Sequence, residues 1–494
     1  MTIRRITVAG IAALLVVALD ASAQQPTRSE VNQLKKLLEQ QEQSIRELKS
    51  RIQQLEGRTA PAAAKAKPAQ PPAVAAAPEP ARTGAAPSPA EEAEAKIFGQ
   101  QSPVKDRHNL DDRQEAAARP GDYVLDPAYR GYIPIPQTVF MVKFNPKPRL
   151  DMMFTTKNPG DARYRFATAL LPLEGAPEFG GGEQFDATAN GSQIRVDMRA
   201  PSQPGNFRLY YQNDFFGSDD AQMRYRLQHF FGQYYGVVGG FTYGVFEDPD
   251  VWPDTVDYEG PNAVIFARRP LIHYLFELAP DWSITFGLEQ PSLAVDTTGD
   301  VDATSQQSAP DGGFNIRWTP NDIGHVQFST IFRSIGVRGG RNFNDDSAIG
   351  YGVNLAGSLS ITDNDTMQFL GVYGEGIGGL GNDSGFFNTD AAFNGNGTLI
   401  PLEYVSGMGA FTHQWTPRWR STATFGWVLV QNTSMQPADA YHMTRYGSVN
   451  VIYQLFKRLS IGVEGLYGFK EVRDHNDSGD VARVNIGMVY APFD

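Results

Sequence analysis

The chain contains no cysteine. Disulfide frameworks, thiolate chemistry and Cys-ligated zinc or iron–sulfur centres are thereby excluded. A basic excess is also missing: 43 Lys+Arg stand against 55 Asp+Glu, a net charge of −12. Nucleic-acid binding wants a basic footprint, so that class is set aside. Histidine is sparse, at 108, 229, 273, 325, 413, 442 and 475. None of these falls in a zinc motif or beside a recognised nucleophile, and no cofactor is expected. Long apolar runs are missing too. After the N-terminus no segment approaches the ~18 uninterrupted apolar residues of a helical span, so any membrane crossing is made without helices.

What is present begins with a targeting pattern. Arg4 and Arg5 precede the short apolar run "ITVAGIAALLVVAL", and small residues stand at Ala21 and Ala23. This reads as a secretory signal peptide over 1–23. Residues 31–56 keep a heptad, with Val31, Leu38, Ile45 and Ile52 at a, and Leu34, Leu48 and Leu55 at d. Gln41 is the polar exception at d, and the pattern predicts a short parallel coiled coil of open oligomer number. Residues 57–130 are rich in Ala and Pro, then polar and irregular, and read as a linker.

The texture changes over 131–494. Strand-like runs alternate with connections of two kinds. Short turns such as "APD" (279–281), "TPND" (319–322) and "FKR" (456–458) alternate with longer loops rich in Gly, Asp and Asn, such as 247–262, 377–401 and 432–441. Eight longer loops and seven short turns divide the segment into sixteen candidate strands. Sharing 139–494 among sixteen gives about 22 residues per strand and connection, which suits strands of ~9–11 residues. The expected fold class is all-β, a sixteen-stranded antiparallel transmembrane β-barrel with an N-terminal periplasmic coiled-coil helix. An even count puts both barrel ends on the periplasmic side, where the coiled coil must sit. A soluble β-repeat protein is the bland alternative, but no blade motif repeats. Pro146 and Pro148 cannot donate ladder hydrogen bonds, so regular pairing is expected to begin near Pro148.

The strands alternate with period two, and arginine keeps to one face. In "SQIRVDMRA", Ile194, Val196 and Met198 oppose Arg195 and Arg199. Phe207, Leu209 and Tyr211 oppose Arg208, and Met223, Tyr225 and Leu227 oppose Arg224 and Arg226. The same parity puts Arg269, Arg317 and Arg333 on the polar face, leaves Arg268 ambiguous, and sends His229 to the apolar face at a rim. An arginine turned to lipid near the midplane costs ~2–4 kcal/mol, so a one-residue slip of "SQIRVDMRA" would cost ~4–8 kcal/mol if additive. Register is therefore well specified, and the arginines face a lumen wide enough for water.

The stretches "GYIPIPQT", "RLDMMF", "SQIRVDMRAPS", "FRLYYQNDFFG", "RYRLQHFFGQYYG", "WPDTVDYEGPNAVIFARRP" and "FGLEQP" together resemble the DcaP-like outer-membrane porins. The likeness is strongest over 131–295. It implies a homotrimer of sixteen-stranded barrels in the outer membrane of a Gram-negative bacterium, with periplasmic coiled coils. It also implies passive uptake of small anions such as dicarboxylates. The family's basic lumen would fall on Arg195, Arg199, Arg208, Arg224, Arg226 and Arg269, and alternation adds Arg317 and Arg333.

Arginine suits a carboxylate pathway, because its planar fork binds carboxylates bidentately and stays charged. Against this stands simple filling, in which the arginines pair with lumen acids such as Asp197 and Asp214. The acidic loop "EDPDVWPDTVDYEG" (247–260) either folds inward or lies solvated at the surface. The clusters "DTTGDVDA" (296–303) and "NDDS" (344–347) lack EF-hand spacing and read as polar loops rather than calcium sites. The competing functional classes are a barrel enzyme, such as a phospholipase or protease, and a structural tether that touches the cell wall through the coiled coil.

Overall fold

The computed structural model describes residues 132–177, 179–200, 207–217, 222–320 and 323–492. The expected signal peptide, coiled coil and linker all lie outside the described residues. In chain order the strands begin with β1 (Ile133–Pro134), β2 (Met141–Lys147), β3 (Arg149–Thr155), β4 (Gln184–Thr188), β5 (Gln193–Ala200), β6 (Phe207–Asp214), β7 (Arg226–Tyr234) and β8 (Val237–Tyr243). Next come β9 (Arg268–Ala279), β10 (Trp282–Glu289), β11 (Val295–Asp296), β12 (Thr304–Gln306), β13 (Asp311–Trp318), β14 (Gly324–Arg338), β15 (Asp346–Ser360) and β16 (Asp365–Glu375). The last are β17 (Ala391–Phe393), β18 (Leu399–Pro401), β19 (Glu403–Thr416), β20 (Trp419–Val430), β21 (Tyr441–Phe456), β22 (Leu459–Val472) and β23 (Ser478–Tyr490).

Twenty of these form one sheet, and β11, β17 and β18 form a small second one. Pairing in the large sheet is antiparallel and mostly between chain neighbours, as tight turns dictate. At the end of the chain β23 pairs with β3, matching Val489 to Arg149 and Arg483 to Thr155.

The segments number 23 rather than sixteen. Prolines, a loop break and short loop strands account for the excess. Pro148, which has no N–H to give, separates β2 from β3, and residues 189–192 separate β4 from β5. β11, β12, β17 and β18 are two- or three-residue pieces within the longer connections, and β1 is a two-residue piece ahead of β2. Pairing also begins earlier than Pro148. β2 pairs with β5 from Met141↔Arg199 to Lys147↔Gln193, with Pro146 opposite Ile194. Past Val142 the other edge of β2 carries no described strand, so Pro146 sits where a missing donor is tolerated.

Burial is inverted relative to a soluble protein. Phe144, Phe154, Phe230, Phe286, Phe332, Phe411 and Val449 are exposed, while Arg195, Arg208, Gln212, Arg333, Asn354 and Glu464 are buried. Such a sheet is stable only if its outer solvent is apolar. Four of the six tryptophans sit next to the short turns. Trp282 stacks on Trp318, Trp419 stacks on Tyr453, and Trp415 stands in the same β19–β20 turn region as Trp419. Rings with an apolar body and a polar edge belong at a membrane–water boundary.

One strand departs from its expected parity. Gln212 pairs with His229 and Asn213 with Leu227, leaving Gln228 as an extra residue in β7. This bulge turns His229 inward, contrary to its expected place on the apolar face. Its Nδ1 lies 3.0 Å from Thr242 Oγ1, and its ring meets Tyr210 and Tyr243 edge-on.

Candidate functional site

The connection between β8 and β9, residues 244–267, lies against the inner faces of the sheet, and its stretch 251–265 is buried throughout. Its local conformation follows from its sequence. Asp248 accepts from the Asp250 N–H at 3.1 Å, and Pro249 opens the short 3-10 turn Pro249–Val251. Gly260 has φ 75°, and a Cβ there would meet the Trp252 ring at 2.6 Å, so glycine is required.

The wall is shaped to receive this loop. A Cβ on Gly352 would stand 2.8 Å from Phe246, and one on Gly487 would stand 2.7 Å from Val256. Polar wall residues bind the loop backbone. Asn315 donates to Val245 O and Asn354 to Phe246 O, each at 2.9 Å, and Asn450 donates to Asp254 O at 2.7 Å. Charged wall residues bind its acids. Arg317 reaches Asp248 at 3.2 Å and also pairs with Asp250; His325 reaches Asp248 at 2.7 Å; Arg420 pairs with Asp254. Tyr258 donates to Asp214 at 2.7 Å on β6. Apolar residues complete the seat, with Phe246, Val251, Trp252 and Ile265 packed beside Ile331, Leu370, Met408 and Val428. Of the two dispositions open for 247–260, the inward one is adopted.

The eight sequence-selected arginines do not form one group. Arg333 lies between Asp311 at 3.0 Å and Asp390 at 2.8 Å, fully buried. Arg269 pairs with Asp311 at 2.7 Å and with Glu289. Arg208 lies 3.1 Å from Asp197, and Arg195 donates to Gln193 at 3.0 Å; both are buried. Three others keep part of the side chain exposed: Arg199 on Asp197 (18 %), Arg226 on Asp214 (26 %) and Arg317 (17 %). Arg224 precedes β7, is exposed, and donates to Gln222 at 3.3 Å.

Sequence reasoning missed a basic and aromatic cluster that loops bring together. Arg165, from the connection after β3, is 3.4 Å from Glu259 and lies over the Phe216 and Phe386 rings. Arg226 also lies over Phe216, and Arg268 lies over Phe266 at 4.6 Å. Arg165 sits in a loop with no periodicity to expose it. Arg149 and Arg420 are wall residues that the alternation of β3 and β20 could have supplied.

Buried acids of the loop are perturbed. Burial pushes the Asp257 carboxyl up to about 6, against the pull of Arg483 and with a push from Glu259. Burial, reinforced by Glu289, pushes Glu247 up to about 8. Asp248 moves the other way despite burial, because His325 and Arg317 hold its charged form.

The acidic loop clusters are spent on structure. Asp300 accepts backbone N–H groups of Gly340, Arg341, Asn342 and Phe343 at 2.8–3.2 Å. Asp346 accepts from Leu399 N at 2.8 Å. For nucleophilic catalysis, His413 binds Asp365 at 2.7 Å and has Ser421 as its cross-strand neighbour. Ser421 Oγ instead accepts from Trp415 Nε1 at 3.0 Å, which is not the arrangement of a nucleophile and its base.

The chain superimposes on the outer-membrane channel DcaP of Acinetobacter baumannii with a TM-score of 0.63 at 20% identity, covering 72% of this chain and 98% of that one. The fold is that of an outer-membrane channel. OmpT of Vibrio cholerae, as a loop-deletion mutant, matches with a TM-score of 0.45 at 12% identity over 72% of this chain and 100% of that one. An anion-selective porin from Comamonas acidovorans matches with a TM-score of 0.46 at 10% identity over 71% and 99%. No family model and no curated protein matches the chain.

Proposed function

We propose that the protein is a non-enzymatic outer-membrane porin of a Gram-negative bacterium, through which small anionic solutes, dicarboxylates among them, diffuse passively. The observation that carries this reading is the set of partly exposed arginine side chains on the inner face of an inside-out sheet, at Arg199, Arg226 and Arg317. Arg199 and Arg226 each pair with one carboxylate and Arg317 with two, and part of each side chain stays exposed. A charge pair at 4 Å is worth ~1 kcal/mol in water and ~4 kcal/mol at an effective dielectric of 20, enough to enrich an anion without trapping it. The buried Arg195, Arg208, Arg269 and Arg333 hold the wall, whereas Arg199, Arg224, Arg226 and Arg317, with Arg165, line the pathway.

On this reading β2 with β3 and β4 with β5 each form one stave, and the sheet is a sixteen-stave barrel sealed by β3 and β23. The loop over 244–267 is its constriction. The protein works as a homotrimer, with residues 1–23 removed on export and the coiled coil over 31–56 in the periplasm, able to contact the cell wall.

The test is the reversal potential across a planar bilayer in a KCl gradient. Anion preference is expected, and cation preference would overturn the reading. The variant Arg199→Gln with Arg317→Gln leaves Asp197 with Arg208 and Asp248 with His325, so the fold is spared. Its anion preference should fall, and an unchanged value would remove these residues from the pathway.

A further inference from the structure

At the rim that carries the longer connections, three side chains converge that the pathway does not use. His442 is the second residue of β21, Glu471 is the last but one of β22, and His475 lies in the connection to β23. Each offers one ligand atom, and these atoms lie within 4.8 Å of one another. We propose that His442, Glu471 and His475 form a binding site for a divalent transition metal of the zinc type.

The donor set is chemically apt. Two imidazoles and a carboxylate are the ligands zinc takes where it keeps a fourth position open. Tetrahedral ligands at zinc distances of about 2.0–2.1 Å stand about 3.4 Å apart. The observed spacing needs only a small inward swing, and His475 is exposed and able to make it.

The surroundings prepare the ligands. His442 Nδ1 lies 2.9 Å from Val430 O and 2.9 Å from Asn432 Oδ1, both acceptors. The Asn432 amide orientation is fixed, since its Nδ2 donates to Tyr441 O at 3.0 Å and to Gln436 Oε1 at 3.2 Å. Two acceptors on Nδ1 put the proton there and leave the lone pair on Nε2, as outer partners do for metal-bound histidines. The His475 Nδ1 is 2.7 Å from Glu471 Oε1, and the two histidine rings meet edge to face at 4.5 Å.

His475 has φ 61°, in the left-handed region where histidine is among the more frequent non-glycine residues. The connection is anchored around it, with Arg473 N on Ala440 O at 2.9 Å and Asp474 N on Ala438 O at 3.1 Å. A bound metal would tie β21, β22 and this connection together.

Among the described residues a second grouping of metal-ligating side chains, Asp248 with Asp250 and His325, differs in kind. Arg317 already lies on both of its carboxylates.

The full chain, purified in detergent and freed of metal, is titrated with Zn²⁺ by calorimetry and with Co²⁺ by visible absorption. One equivalent should bind to the His442–Glu471–His475 set, with the bands of a low-symmetry nitrogen–oxygen site. His442→Ala should weaken it at least about tenfold. His475→Gly should do the same while suiting the backbone, so its thermal unfolding should not fall. His325→Asn should retain the equivalent. Zinc binding that is absent, or equal in all three variants, overturns the proposal. The readout needs no conductance, so it stands or falls apart from the porin reading.

Discussion

Arg333 and Arg199 carry the same guanidinium in opposite circumstances. Arg333 has no exposed surface and lies between two carboxylates with none, Asp311 and Asp390. Removing it takes the paired cation from buried Asp390, while Asp311 keeps Arg269, so Arg333→Ala should destabilise the fold by about 3–5 kcal/mol. Arg199 is partly solvated, and Asp197 keeps Arg208 when it goes. Arg199→Ala should cost no more than about 1 kcal/mol. Urea unfolding in detergent, followed by tryptophan fluorescence, compares the two. Equal losses would mean that exposure does not sort these pairs. Period-two alternation in the sequence put both arginines on the polar face, because that parity is local. Their partners were not legible, since Asp390 is 57 residues away from Arg333 in the chain and Asp254 is 166 away from Arg420. His229 shows the limit from the other side. One extra residue, Gln228, reverses the parity, and nothing in "RLQHFF" marks the bulge.

Strands are legible because their two faces meet different solvents; the inward loop is not, because its partners come from many strands at once. Its docking should depend on pH. The ordinary pKa of Asp257 is 3.8, and burial raises it to about 6. The folded state thus holds a proton that the unfolded chain gives up. Stability from this group is complete below about pH 3.8 and is lost as pH rises through about 6. Glu247 extends the same trend from 4.5 to about 8. Asp257→Asn should therefore raise the unfolding temperature at pH 7.5 and leave it nearly unchanged at pH 4. Thermal scans across that range decide it, and a variant less stable at both values would show that Asp257 is held as a needed charge. Arg483, Arg149, Glu259 and Glu464 are the charged neighbours that set the exact window.

The described sheet is polar within and apolar without, so its stability is defined only against a lipid-like solvent. Phe286→Arg, on the outer face of β10, should cost about 2–4 kcal/mol in bilayers or micelles if it lies near the midplane, and less toward either rim. Folding yield and urea midpoint in lipid vesicles measure this, and a neutral outcome would mean that this face of β10 does not meet acyl chains. The wall is also of unequal height. β6, β7 and β8 have 8, 9 and 7 residues, whereas β21, β22 and β23 have 16, 14 and 13. At a rise of ~3.3 Å and a tilt of ~40°, eight residues climb only ~20 Å, short of the ~25 Å apolar band of such barrels. The same arithmetic lifts fourteen residues to ~35 Å. A bilayer around this molecule therefore meets a low parapet on one side and a high one on the other. Lipids along β6–β8 must thin, or another protein surface must stand in their place, and the strain of thinning is itself a force that draws low sides together.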